Sequence, residues 1–491
     1  RDHTVVGRDE RPRRLWVLDR ATGRAEPVTA LGERSAWEIA WSPDGATIAA
    51  AVTLRPTTEQ SYLEKRLVAL PLKPGSAERE IAPRVGKVRD VVWSRDGGSI
   101  AWLGGVDRRD PSFGSVFVAP AAGGTPRNLT GDRLESVRDI LYASGSTIVV
   151  AAMQGTGSAI VALDTVAGTR RDILSAGRLA FLGGTASDDG TKFAVIGSTG
   201  ATPEEIHVID RRGARVLTNL NPAVAGLPRA LQEVVSWRAS DGVAIDGVLV
   251  RPLGDTKRAS WPLVVMLHGG PEYEELDGWG SDYGHPAQAL AERGFYVLRP
   301  NYRGSTGRGV AFAKSDQGDL GGRDFQDILD GIDALAGRYR FDKNRVGMAG
   351  ESYGGYFANL AATRYSARFA AVVSRYGISD WISFLGQSDI PVENAEVHWA
   401  LWCWERHEVC WQASPVAHIA KAATPILLMH GDADLRVPKA QSDELYTALR
   451  WTNAPVEYVV FPREAHGFDE RAHRIETARR ILEWFERYLT P

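Results

Sequence analysis

From residue 1 to about residue 225 the chain alternates short apolar runs with polar turns, and one unit of this pattern recurs. "WEIAWSPDGATIAAAV" (37–52) returns as "VRDVVWSRDGGSIAWLG" (88–104), more loosely as "VRDILYASGSTIVVAAM" (137–153), and again as "LGGTASDDGTKFAVIG" (182–197). The turn glycines Gly45, Gly97, Gly145 and Gly190 stand 52, 48 and 45 positions apart. Each unit reads as a strand, an Asp-Gly or Ser-Gly turn and a second strand rich in Ala, Val and Ile, which is a hairpin signal. Further strands fall between the units, in "RRLWVLDRATGR" (13–24), "GSVFVAPAAGG" (114–124) and "EEIHVIDRRGAR" (204–215). A period near 45 to 50 residues with about four strands per unit predicts β-propeller blades, and the stretch holds four or five of them. A β-sandwich made of the same hairpins is the alternative.

Near residue 230 the periodicity changes. "EVVSWRASDGVAIDGVLVRP" (233–252) reads as a last hairpin, after which apolar strands alternate with amphipathic helices. The strands are "PLVVMLHG" (262–269), "GFYVLRPN" (294–301), "NRVGMAG" (344–350), "FAAVVSRY" (369–376), "TPILLMHG" (424–431) and "VEYVVFP" (456–462). In the final helix, "AHRIETARRILEWFERYL" (472–489), Ile475, Ala478, Ile481, Leu482, Phe485 and Leu489 predict one buried face. Alternating strand and helix predicts a doubly wound, mostly parallel sheet covered on both sides. The expected organisation is a propeller domain over 1–228 and an α/β-hydrolase domain over 229–491.

Totals narrow the function classes. A chain of 491 residues exceeds one ordinary core. Its 44% hydrophobic and 24% charged residues are those of a globular protein, and no run of about eighteen apolar residues could span a bilayer. A formal net charge of −3 gives no reason to expect nucleic acid, and the basic run "RDERPRR" (8–14) reads as solvated surface. Two cysteines, Cys403 and Cys410, exclude a disulfide framework and a cysteine-rich zinc site; neither metal nor cofactor is expected. Seven residues along a straight helix rise about 10.5 Å, so a Cys403–Cys410 bridge requires the segment to fold back on itself. The chain opens on Arg1 without a signal-peptide pattern, so its natural start is expected to have been removed, and the compartment is left open between cytoplasm and periplasm or exterior. Homo-oligomerisation is left open as well.

Chemistry gathers at strand ends. "GMAGESYGGY" (347–356) holds the one G-x-S-x-G match of the chain, a pattern expected by chance about 0.3 times at this composition. Context raises its weight: "NRVGMAG" is a strand, "ESYGG" a turn and "YFANLAATRY" (356–365) a helix, the setting of a nucleophile elbow at Ser352. Side chains at Gly350 and Gly354 would collide across such a bend. A serine hydroxyl needs a base, and His466 in "FPREAHGF" follows the last strand, where a loop can turn its imidazole toward the serine. The orienting acid is expected in "HGDADLRVP" (430–438), and spacing leaves Asp432 and Asp434 as alternatives. "LHGGPEYEE" (267–275) ends an early strand in a glycine pair, suited to an oxyanion donor, with the Tyr353 amide as the second.

Together, "HGGP", "PNYRGSTGRG" (300–309), "GESYGGY", "HGDADLRVP" and "EAHGF", behind repeats carrying "WSPDG", resemble the prolyl oligopeptidase family of serine peptidases, closest to its acylaminoacyl-peptidase branch. The resemblance implies Ser352 as nucleophile, Asp434 as acid, His466 as base, and the amides of Gly270 and Tyr353 as oxyanion hole. It implies short peptides as substrates, cleaved between the hydrolase sheet and the propeller face. Two departures stand out. The family's propellers usually have seven or eight blades, against four or five here, and the loop after "HGGP" is acidic, with Glu272, Glu274 and Glu275. Expected substrate contacts are Glu272, Arg303 in "NYRG", for which a structural salt bridge is the alternative, and Trp381 and Trp402 from a tryptophan-rich segment over 381–411, which also suits the packing of a helical cap. An esterase on the same machinery, and a propeller binding module with a silent hydrolase domain, are the alternative functions.

Overall fold

The computed structural model describes residues 10–490 apart from residues 74, 84–85, 132, 134, 178 and 255–258. Arg8 and Asp9 of the basic run lie outside the described residues. The N-terminal half forms four four-stranded antiparallel sheets, over residues 35–82, 88–128, 136–177 and 184–216, each with its strands in sequence order. A two-stranded hairpin, Trp16–Leu18 with Ala25–Pro27, precedes them. These are propeller blades, four of them complete.

The repeated motif is a turn device. In "SPDG" the Asp44 carboxylate accepts from Ser42 Oγ at 2.5 Å and the Ala46 amide at 3.0 Å. Asp96 and Asp189 repeat it on Ser94 and Gly98 and on Ser187 and Thr191. The glycine that follows each aspartate takes a left-handed φ, +70° at Gly45, +73° at Gly97 and +67° at Gly190, where a side chain would be strained. The third blade lacks the aspartate, and its Gly145 amide donates instead to Asp96 of the neighbouring blade at 3.0 Å.

Consecutive blades bury their facing apolar residues against each other, giving separate cores between the sheets. The leading hairpin covers the first blade, where Leu15 and Val17 pack beside Ile48 and Leu70. On the fourth blade Ile196, Val216 and Leu217 are exposed.

The C-terminal half is built on one eight-stranded sheet: β1 (Gln232–Arg238), β2 (Ala244–Val250), β3 (Trp261–Leu267), β4 (Tyr296–Asn301), β5 (Phe341–Glu351), β6 (Ala371–Arg375), β7 (Ile426–Gly431) and β8 (Val456–Phe461). Their order is β1-β2-β4-β3-β5-β6-β7-β8, with β2 antiparallel to both neighbours and β3 through β8 parallel. This is an α/β-hydrolase sheet. β3 and β5 are central, and β3 throughout and β5 from Val346 to Gly350 are buried because helices cover both faces. On one face lie α1 (Ala287–Glu292) and α2 (Arg471–Leu489), and on the other α3 (Arg323–Ala336) and α4 (Tyr353–Ala362).

The buried stripe of α2 runs through Thr477, Ile481, Trp484, Phe485 and Leu489, and Ile475, expected on that face, is 44% exposed. The stripe is set by β5: a Cβ on Gly347 would stand 2.6 Å from the Phe485 ring, so the helix seats where that strand has no side chain. Cys403 and Cys410 are bonded, with Cα atoms 5.6 Å apart. Cys403 precedes the helix His407–Ala413, so the intervening turn folds the chain back and shortens the span a straight helix would impose.

Candidate active site

β5 ends at Glu351, α4 begins at Tyr353, and Ser352 joins them with φ +54° and ψ −116°, outside the allowed regions of an ordinary residue. Backbone crowding enforces the bend. A Cβ on Gly350 would lie 2.1 Å from Gly354 O, and one on Gly354 would lie 2.5 Å from Leu267 O at the end of β3. The hydroxyl is thereby held above the sheet, where Ser352 Oγ–H donates to His466 Nε2 at 2.9 Å. His466 Nδ1–H donates in turn to Asp434 Oδ2 at 2.8 Å.

Geometry separates the two aspartates that spacing leaves equivalent. Asp434 is buried, accepts from the Arg436 and Val437 amides at 2.9 and 3.0 Å through Oδ1, and points Oδ2 at the imidazole. Asp432 is exposed and accepts from the Arg463 amide at 2.6 Å, fixing the turn that carries the histidine loop. Burial pushes the Asp434 carboxyl up, but hydrogen bonds from His430 and His466 outweigh it and hold it at about 2. His430 is fully buried between Ser442 Oγ and Val437 O, 2.7 Å from each. His473 donates to Glu464 at 2.6 Å on the first turn of α2.

The loop after β3 approaches the serine closely: a Cβ on Gly269 would stand 2.9 Å from Ser352 Cβ. Gly270 takes φ +120°, and the Tyr353 amide is the first N–H of α4, with no helical carbonyl one turn earlier to receive it. Beneath the loop His268 is buried, stacked 4.5 Å from the Tyr302 ring, and its Nε2 stands 3.1 Å from Ser305 Oγ.

A cavity of about 850 Å³ includes Ser352 and His466 and has walls from both halves, with Tyr62, Lys87 and Phe113 from the propeller facing Trp381 and Phe384. Ile378 and Val437 add apolar surface. Trp381 is fully buried behind this wall, so it lines the cavity and also packs the cap, edge-on to Trp399 at 5.4 Å. Trp402 is placed otherwise: it stacks on Trp404 at 5.2 Å over the cap, away from the cavity lining.

Arg303 is a correction. Its guanidinium is 4% exposed, paired with Asp327 at 2.6 Å and Asp241 at 2.8 Å, and both carboxylates bind it through two oxygens. Two bidentate partners take four of its five N–H groups and the side chain is not part of the cavity lining, so this arginine ties the "NYRG" loop to α3 and the β1–β2 turn.

The acidic loop is neutralised in place. Glu272 Oε1 lies 3.1 Å from Lys87 Nζ, Glu274 Oε1 lies 3.0 Å from Arg138 Nε, and Glu275 Oε2 lies 3.0 Å from Arg299. Lys87 also meets Glu393 at 2.8 Å, and His398 Nε2 meets the same Glu393 oxygen at 3.2 Å. Glu272, Glu393 and His398 would suit a metal ion by residue type, but the Lys87 ammonium already bridges the two carboxylates. Burial disfavours the charged form of His398, yet the carboxylates of Glu393 and Glu272 raise it to about 9.

Sequence reasoning missed a second network beside the serine. Glu351 pairs with Arg375 at 3.1 Å and accepts from Tyr376 Oη at 2.7 Å. Burial pushes its carboxyl up, but the charges of Arg375 and His285 and the tyrosine bond hold it at about 2. The glutamate was visible inside "GESYGG"; its partners lie at the end of β6, just after it and before α1, where no local pattern marks them.

Comparisons with known proteins bear on the fold and the family. The prolyl oligopeptidase family matches residues 281–491. An uncharacterized peptidase of Bacillus subtilis, YuxL, is 34% identical over 264 residues, 53% of this chain and 39% of that protein. The human acylamino-acid-releasing enzyme is 31% identical over 255 residues, 50% of this chain and 34% of its own length. The chain thus matches well under half the length of either relative. A solved acylaminoacyl peptidase, in complex with Z-Gly-Gly-Phe-chloromethyl ketone, superposes with a TM-score of 0.80 at 24% identity, covering 96% of this chain and 73% of that one. The fold extends across both halves, and the match to the prolyl oligopeptidase family lies within the C-terminal half.

Proposed function

We propose that this chain is a serine peptidase that cleaves short peptides through an acyl-enzyme, with a propeller over residues 1–228 and a catalytic domain over 229–491. The observation that carries the reading is the continuous relay from Ser352 Oγ through His466 to Asp434, at 2.9 and 2.8 Å. In it, His466 takes the serine proton as Oγ attacks a substrate carbonyl. Asp434 holds the tautomer and stabilises the imidazolium. The Gly270 and Tyr353 amides receive the oxyanion, and His466 returns the proton to the leaving amine. Water then repeats the sequence to release the acid and free Ser352.

The cavity supports an apolar or aromatic residue on the acyl side of the cut, beside Ile378, Trp381, Phe384 and Val437. The acylaminoacyl peptidase of like fold was solved with a blocked peptide ending in Phe, which agrees with that surface. Glu272 and Glu393, the carboxylates that could hold a free substrate amine, already face Lys87 and His398, which favours blocked or internal positions over free N-termini.

The test combines fluorophosphonate labelling with turnover of acylated and free peptide p-nitroanilides and a p-nitrophenyl ester. Labelling lost in Ser352→Ala, with amide turnover highest on acyl-Phe substrates, is expected. Ester turnover without amide cleavage would overturn the peptidase assignment in favour of an esterase. No label on the native protein would overturn the nucleophile and leave a binding module.

A further inference from the structure

The loop that carries the Gly270 amide is held from the propeller. Three consecutive anchors fix it. Glu272 reaches Lys87, 185 positions earlier, at 3.1 Å, and that ammonium is only 4% exposed and also donates to Pro111 O at 3.0 Å. Tyr273 lies under the Arg138 guanidinium, 5.4 Å from its ring centroid. Glu274, fully buried in its side chain, pairs with Arg138 at 3.0 Å and accepts from Thr306 Oγ1 on its other oxygen.

The anchors are mechanically close to the donor. The chain turns so tightly at Gly270 that a Cβ there would stand 2.3 Å from Glu272 N, and the Tyr273 amide closes the turn on Pro271 O at 2.8 Å. A shift of the Glu272 or Glu274 carboxylate therefore moves the Gly270 amide. The blade side is equally fixed: the Arg138 carbonyl accepts from Arg89 at 3.0 Å, and Ser136 Oγ accepts from the Gly307 amide at 2.8 Å. On the hydrolase side Thr306 N donates to Tyr273 O at 3.0 Å.

We propose that Lys87 and Arg138 of the propeller are positioning residues for the oxyanion hole, setting the Gly270 amide through the Glu272–Glu274 segment, so that seating of the propeller completes the hydrolytic site. The inference rests on the peptidase reading above. An oxyanion donor acts only if it is preorganised within a few tenths of an ångström of where charge develops. A donor on a loop tethered by buried ion pairs meets that condition, whereas the same acidic loop released from its cations would repel itself and spread. The acidic residues after "HGGP" thus serve as handles by which one domain grips the other's catalytic loop.

The experiment compares interdomain ion pairs that do and do not touch this loop. Arg138→Gln and, from the loop side, Glu274→Gln are measured beside Lys314→Gln, whose bridge to Asp107 at 2.6 Å also joins the two halves but lies off the loop. The readouts are kcat and KM on a peptide p-nitroanilide, the rate of fluorophosphonate labelling, and the melting temperature. Arg138→Gln and Glu274→Gln are expected to lower kcat at least tenfold with KM within about twofold, and their double variant to lose little more than either alone. Arg138→Lys is expected to recover most of kcat, while Lys314→Gln stays within about twofold of wild type at a similar melting temperature. Equal kcat losses in Arg138→Gln and Lys314→Gln at matched thermal stability would overturn the inference and leave domain docking alone. A wild type that neither labels nor turns over would overturn the peptidase reading, and this inference with it.

Discussion

The Tyr376 ring stands edge to face against the His466 imidazole, with centroids 4.9 Å apart, while its hydroxyl donates to Glu351, the residue before Ser352. Tyr376 holds φ +38°, a conformation costly for a non-glycine residue and sustained only by its surroundings. One side chain thus spans the Ser352 turn and His466. Tyr376→Phe keeps the ring and removes a hydrogen bond to a charged carboxylate, so a stability loss of about 2 kcal/mol with kcat within a few-fold is expected. Tyr376→Ala removes the ring and is expected to lower kcat at least tenfold. Steady-state kinetics beside chemical denaturation separate the two, and equal kcat in both variants would show that the ring does not position the base.

Asp434 and Asp432 lie two residues apart with different tasks. Asp434→Asn presents the wrong group to His466 Nδ1 and is expected to cut kcat by about 10⁴. Asp432→Asn weakens a turn contact and is expected to leave kcat within a few-fold. Measuring both on one amide substrate checks the assignment, and a comparable loss at Asp432 would refute it.

Gly354→Ala places a methyl 2.5 Å from Leu267 O and 2.7 Å from His268 O, both backbone atoms that cannot yield without moving β3. A destabilisation of about 3 kcal/mol or more, with loss of fluorophosphonate labelling, is expected. Gly386→Ala, where an added Cβ meets open space, is the control and is expected to be near neutral on both measures.

Stability should fall on the alkaline side. His398 titrates near 9 in the fold against an ordinary value of 6.5, so its contribution is complete below about pH 6.5 and is lost as pH rises through 9. That shift corresponds to on the order of 3 kcal/mol, shared with Lys87, Glu272 and Glu393. On the acid side Asp434 and Glu351 are held near 2, so their contribution is present above about pH 4 and lost as pH falls toward 2. Urea denaturation from pH 6 to 9.5 checks the first statement, and a curve for His398→Gln as steep as wild type would contradict it.

Reduction of the Cys403–Cys410 bridge releases a loop of seven positions, for which chain entropy gives about 2.5 kcal/mol of stabilisation. Dithiothreitol is expected to lower the melting temperature of the wild type but not of Cys403→Ala. A wild type indifferent to reductant would show the bridge to be energetically idle.

What the sequence by itself determined is everything whose cause is local. The "S-x-D-G" turns carry their own hydrogen bonds and left-handed glycines, so the blades were legible at their period. The strands of the hydrolase sheet were legible because continuous burial requires unbroken apolar runs, and Ser352 and His466 because each occupies the loop that directly follows a strand. Tertiary structure decided what depends on pairing across distance. It chose Asp434 over Asp432 by pointing one carboxylate at an imidazole 32 positions away. It withdrew Arg303 from the substrate by closing Asp241 and Asp327 around it. It also turned the acidic loop after "HGGP" into a clamp, because Lys87 and Arg138 meet it from 185 and 136 positions away. A charge in a sequence has a sign but no partner, and at these separations only the packed fold supplies one.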